Sequence, residues 1–260
     1  MTGLLAELSR LLYLAEGLAW AATLVFVRVG AMVALMPGLG DPVVPQRIKL
    51  ALVAAFAIVL SPVLADRLAS GMPDPTFVAL GSEAVSGLIL GVGLRLFLVA
   101  LTTAAAIIAQ ATTLSQLFAG AAPEPQPAIG NLLTMAGIAL AMISGLHVRA
   151  AELLMLSYDF LPAARLPLSS DAADWSVALI GRCFSLAFTL SAPFVIASLL
   201  YNLALGAINR AMPTLMVSMV GAPALTLGGM AMLAVAAPAI LMVWLAALSD
   251  HMAAPFGAVP

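Results

Sequence analysis

The chain has 260 residues, of which 63% are hydrophobic and 8% charged, against about 25% charged in an ordinary soluble domain. With a mean hydropathy of +1.14 it belongs in a membrane, and no stretch is polar enough for a separate soluble domain. A net charge of −2 without any Lys/Arg block excludes nucleic-acid binding, which needs a basic footprint.

Residues 1–260 are therefore read as one all-α integral membrane domain. A β-barrel is excluded because barrel strands alternate apolar and polar residues, whereas Leu50 to Leu60 and Leu233 to Leu248 are apolar on every face. The first residues carry Glu7, Arg10 and Glu16 and lack the basic start and small-residue cleavage site of a leader, so no cleaved leader is expected. The first helix is expected from about Gly3 to Met36, with Arg28 inside it, ending at the turn-rich Pro37-Gly38-Leu39-Gly40-Asp41-Pro42. A second should begin near Gln46, after Pro45, and end near Arg67, followed by a turn over Ala69 to Pro75. The third runs from about Thr76 toward Phe118. It is much too long for a simple crossing and has to tilt, break or leave the bilayer. Ala119 to Pro127, with three prolines, ends it.

A fourth helical segment is read from Ala128 to Phe160, with His147, Arg149 and Glu152 near its centre. Leu161 to Ser170 is a connector, and Ser170 or Asp171 is the expected cap of a fifth helix, which Pro193 should kink. The last third, Met212 to Ser249, contains Pro213, Gly221, Pro223, Gly228, Gly229 and Pro238, which predicts broken helices or a hairpin.

Four arginines, Arg28, Arg95, Arg182 and Arg210, interrupt apolar stretches. Arg210 is the most isolated: Cys183 to Asn209 and Ala211 to Ser249 are uncharged. A guanidinium at membrane depth costs roughly 2.5 to 3.5 kcal/mol on insertion scales. Glu83, Glu152 and Asp159 are the acids in comparable settings, but Glu83 and Arg95 lie about 18 Å apart along their helix. The arginines are therefore expected to need carbonyls, water or other subunits, or to snorkel to an interface.

Two stripes at i, i+4 spacing accompany them: Glu83, Gly87, Gly91 and Arg95, and Asn202, Gly206 and Arg210. Glycines so spaced let another backbone approach closely, within the chain or between subunits, and both faces are expected to be buried.

No motif of hydrolase, zinc-peptidase, redox or P-loop type is present, so neither catalytic residue, cofactor nor metal is expected. His147 is read as a packing or hydrogen-bonding residue, and Cys183 as a buried small hydrophobe. The uncharged, hydroxyl-bearing segment Ala111 to Pro123 precedes a Pro-rich break. It is either a pore constriction or simply a helix end running into a loop.

The order of landmarks carries more than any one of them. Phe26-Val27-Arg28-Val29-Gly30, Pro37 through Pro45 with Arg47 and Lys49, Glu83 through Gly91, and Gln110 with Leu114-Ser115 come first. Gly145-Leu146-His147, Ser157 through Pro162 and Asn202 through Pro213 follow. Together, over about residues 20 to 240, they resemble the FliR family, the flagellar branch of the type III secretion export-gate proteins.

The resemblance implies a non-enzymatic subunit whose kinked helical hairpins form part of a multi-subunit cone in the bacterial inner membrane, within the flagellar basal body. It implies FliP, FliQ and FlhB as partners, unfolded secretion substrates as cargo, contact with membrane lipid, a periplasmic N-terminus and a cytoplasmic C-terminus. It also implies a channel plug over Thr112, Thr113, Leu114, Ser115, Gln116, Leu117, Phe118, Ala119 and Gly120. Thr113 stands where the family usually has glycine. Interface or structural roles are expected for Arg28, Pro37, Pro45, Arg47, Glu83, Gly87, Gly91, Arg95, His147, Asn202, Gly206, Arg210 and Pro213. The rival readings are the equivalent subunit of a virulence-type injectisome and a secondary transporter with an anion site at Arg210.

Overall fold

The computed structural model describes residues 2–69, 76–112, 128–167, 169–212 and 217–256. Among them every regular element is an α-helix: α1 (Thr2–Leu35), α2 (Gln46–Ala69), α3 (Phe77–Thr112), α4 (Ala128–Ile143), α5 (Leu146–Phe160), α6 (Ser169–Ala211) and α7 (Val217–Ala253). Five of these contain stretches long and apolar enough to cross a membrane, and α4 with α5 supplies a sixth if the bent pair is one span.

The chain divides into two compact units. The first comprises Met1–Arg95, Gly145–Ala178 and Ser249–Pro260; the second comprises Leu96–Ser144 and Leu179–Leu248.

In the first unit α1 and α2 pack along their length, and α1 supplies fully buried Ala21, Leu24 and Val25. The turn between them is fastened from three directions. Asp41 Oδ2 accepts from the Gly38 amide at 3.2 Å, Lys49 Nζ donates to Gly40 O at 2.8 Å, and Arg95 of α3 reaches Asp41. Outward-facing Ile58, Val59 and Val63 of α2 remain exposed, as expected of a helix surrounded by lipid or other protein.

In the second unit the rest of α3 is gripped by α4 and α7. Trp244, fully buried, donates its indole N–H to Phe97 O at 2.8 Å. Gly137 accommodates the Leu101 side chain, and Gly229 accommodates Thr112, at points where a Cβ would collide. Cys183 is buried, as expected of a small hydrophobe.

Two expectations are corrected. Residues 128–160 are not one helix: α4 ends at Ile143 and α5 begins at Leu146, with Gly145 at φ 84° between them. A left-handed backbone is a position that favours glycine. Conversely, 217–253 is one helix of 37 residues, neither broken nor a hairpin. Pro223 and Pro238 each remove one amide donor, a loss that membrane helices tolerate, and Gly229 is used for packing rather than for a break. Pro193 lies inside α6. The expected turn over 70–75 and the Pro-rich break lie outside the described residues.

Candidate functional site

Arg28 lies in α1, seven residues before its end, and Glu83 lies in α3; both are fully buried. The guanidinium meets the carboxylate as a fork, Nε donating to Oε2 at 2.7 Å and a terminal nitrogen to Oε1 at 3.2 Å. This is the bidentate geometry that makes such pairs both strong and directional.

The α5 end and the connector after it close around the pair. Arg28 also donates to Ser157 Oγ at 3.1 Å and to Leu161 O at 2.9 Å, and the Tyr158 ring centroid lies 3.7 Å from its guanidinium carbon. Glu83 accepts from Tyr158 Oη at 3.3 Å and from the Ala164 amide at 3.0 Å. Ala164 adopts φ 55°, a left-handed conformation that costs a non-glycine residue free energy, and the hydrogen bond that its N–H donates to Glu83 Oε1 helps hold it there.

The stripe Glu83, Gly87, Gly91 and Arg95 is the other half of this clamp. A Cβ on Gly87 would collide with Arg28 O, and one on Gly91 would sit 2.9 Å from Met32 O. The missing side chains thus bring α3 against α1 closely enough for Glu83 to reach Arg28. At the far end Arg95 donates to Asp41 Oδ1 at 2.9 Å. Every member of the stripe engages α1 or the turn that follows it, so this is packing within the chain.

The expectation that the mid-helix arginines need carbonyls, water or other subunits is met in part at Arg28, which uses the Leu161 carbonyl, but it overlooked acids of the same chain. Arg28 and Arg95 both find acids on other helices or turns of the same chain. The signal was available: charges of opposite sign within apolar helices pair with one another, and pairing between helices escapes any count along one helix.

The second stripe behaves differently. From Val195 to Met212 every residue of α6 and its end is exposed except Ser198, Tyr201 and Leu205, which are half-buried. Asn202, Gly206 and Arg210 are exposed, and a Cβ on Gly206 would meet nothing. The expectation that this face is buried does not hold within the chain.

The remaining predicted positions scatter. Pro37 is buried beneath the first turn, whereas Pro45, Arg47 and His147 are exposed and Arg182 is half-buried. Pro213 and residues 113–120 lie outside the described residues. Thr112, at the end of α3, donates its hydroxyl to Ile108 O at 2.9 Å and Ala109 O at 3.2 Å. Among the described residues no three His, Cys, Asp or Glu side chains converge on a possible metal position. Both Glu83 oxygens accept from donors, contributed by α1, α5 and the connector, so the buried site ties these elements together.

Residues 19–251 match the family model described as bacterial export proteins, family 1. The chain is 37% identical over 231 residues to the flagellar biosynthetic protein FliR of Caulobacter vibrioides, covering 86% of this chain and 91% of that protein. It is 28% identical over 219 residues to FliR of Escherichia coli, covering 82% and 83%. With FliR of Pectobacterium carotovorum it shares 25% over 211 residues, covering 78% and 79%.

Proposed function

Because this chain belongs to the bacterial export proteins, family 1, we propose that it is the FliR-type structural subunit of a flagellar type III export gate in the bacterial inner membrane. The relatives named above are flagellar biosynthetic proteins, which favours the flagellar system over an injectisome. In this reading the chain catalyses nothing. It contributes helices to a channel that unfolded flagellar proteins traverse, together with FliP-like and FliQ-like subunits and beside an FlhB-like chain.

The observation that carries the reading is the division of labour among the arginines. The Arg28 clamp ties elements of the first unit together, while α6 from Val195 to Met212 is exposed apart from half-buried Ser198, Tyr201 and Leu205, with Arg210 near its end. Hydrocarbon alone would be a poor environment for Asn202, Asn209 and Arg210 on one segment. Neighbouring subunits offering acceptors would satisfy them. A solute carrier with its anion site at Arg210 is the less favoured reading, since that site would have to be built from groups around Arg210, and it is exposed.

Coexpression with FliP-like and FliQ-like chains and purification in mild detergent tests the assembly. A stable complex is expected, and recovery of the tagged chain alone would overturn the reading. For the plug, proposed over Thr112 to Gly120, deletion of residues 112–121 in the assembled complex should let ions or small solutes leak. Unchanged conductance would remove the plug from the proposal while leaving the assembly intact.

A further inference from the structure

In the second unit α3 and α7 touch at two places whose spacing matches. Phe97 O accepts from Trp244 Nε1 at 2.8 Å, and Thr112 lies against Gly229. The two contacts are 15 residues apart on each helix, 97 to 112 on α3 and 229 to 244 on α7. The helices therefore run antiparallel and side by side for about 22 Å. Between these points α3 fully buries Leu101, Ala104, Ala105 and Ile108.

The contact at the end of α3 leaves no room for a side chain on α7. The Thr112 hydroxyl donates to Ile108 O at 2.9 Å and Ala109 O at 3.2 Å, which fixes its rotamer with the methyl group against Gly229. A Cβ on Gly229 would lie 2.7 Å from Thr112 Cβ and 3.5 Å from its Cα, where carbon atoms prefer about 3.5 to 4.0 Å. The Thr112 Cβ is fixed to the α3 backbone, so no rotamer change relieves the clash, and the helices have to part by about 1 Å at this end. Gly228, one residue earlier, is exposed, and a Cβ there would meet nothing. Of two adjacent glycines, only Gly229 serves the contact.

We infer that Gly229 is a positioning residue for the gate: by admitting Thr112 it sets where α3 ends, and a side chain there makes the assembled channel leak without undoing the assembly. This role rests on the plug proposed over Thr112 to Gly120, of which Thr112 is the first residue. Residue 113 is bonded to Thr112, so a shift of the α3 end moves the point from which the plug departs. Close-packed helices transmit such a shift because they yield little. The Trp244 bond holds the other end of the shared register, so the displacement falls on Thr112 rather than spreading along α3.

The test uses the full chain assembled with FliP-like and FliQ-like subunits and reconstituted into potassium-loaded vesicles. Gly229→Ala should copurify as the parent does and raise potassium efflux several-fold. Gly228→Ala gains the same helix propensity on the same helix and should stay at the parent level. Adding Thr112→Gly to Gly229→Ala moves the small residue from α7 to α3. The new Cβ then keeps only the ordinary 3.5 Å approach to the Cα of residue 112, and efflux should return toward the parent level. Parent-like efflux from Gly229→Ala, equal leaks from the two alanine variants, or no restoration in the double variant overturns the inference. So does loss of copurification in Gly229→Ala, which would make the glycine a residue of assembly. Deletion of residues 112–121 separates this role from the plug itself. If the deletion leaks while Gly229→Ala does not, only the role of Gly229 falls; if the deletion does not leak, both fall.

Discussion

Arg28 and Arg210 have nearly the same sequence context, a lone cation amid apolar helix, and the fold treats them in opposite ways. Around Arg28 three elements converge: α3 brings Glu83, α5 brings Ser157 and Tyr158, and the connector brings Leu161 O. Around Arg210 the helix is exposed from Gly206 to Met212. Hydropathy does not distinguish the two. The first charge holds the chain's own parts together, and the second is presented outward, to whatever surrounds the chain when it is at work.

The contrast can be tested most severely at the clamp. Arg28→Ala strands a buried carboxylate, and breaking such a pair costs about 3 to 5 kcal/mol. A large fall in the thermal midpoint in detergent is expected, and Arg28→Met combined with Glu83→Met should recover most of it. A parent-like midpoint for Arg28→Ala alone would mean that the pair contributes nothing to the fold.

A smaller loss is expected at Gly87, where a valine would meet the Arg28 carbonyl. Backbone yields little, so about 1 to 3 kcal/mol is expected from overpacking, read from denaturant unfolding of the isolated chain. Arg210→Ala should be the mildest for the isolated chain, within about 0.5 kcal/mol as for other exposed positions. Swimming in soft agar and copurification with the neighbours should nevertheless be lost. If Arg210→Ala destabilised the isolated chain as much as Arg28→Ala does, the two arginines would not differ in the way proposed.

The sequence is legible where local chemistry decides the outcome. Pro37 to Pro42 ends α1 near the expected residue, and Pro45 precedes α2 as a helix start should. It misleads where a local preference is overridden. Pro223 and Pro238 predict interruption, yet α7 continues through both. Gly145 was visible as a landmark but not as a break, because a single glycine within apolar sequence is compatible with either outcome; only its φ of 84° distinguishes them. In the candidate site, the spacing of Glu83, Gly87, Gly91 and Arg95 marked a contact face, while its partner remained open between this chain and another. Glu83 lies 55 residues from Arg28 and Ser157 lies 129 from it. No pattern with a period of three or four reaches that far.

Those separations also set a timetable. A ribosome adding about 5 to 20 residues per second delivers Glu83 within seconds of Arg28, but Ser157 follows 129 residues behind. For on the order of 6 to 26 seconds, α1 therefore carries a guanidinium whose last partners do not yet exist. A nascent chain stalled or cut before Leu161 lacks the groups that complete the clamp.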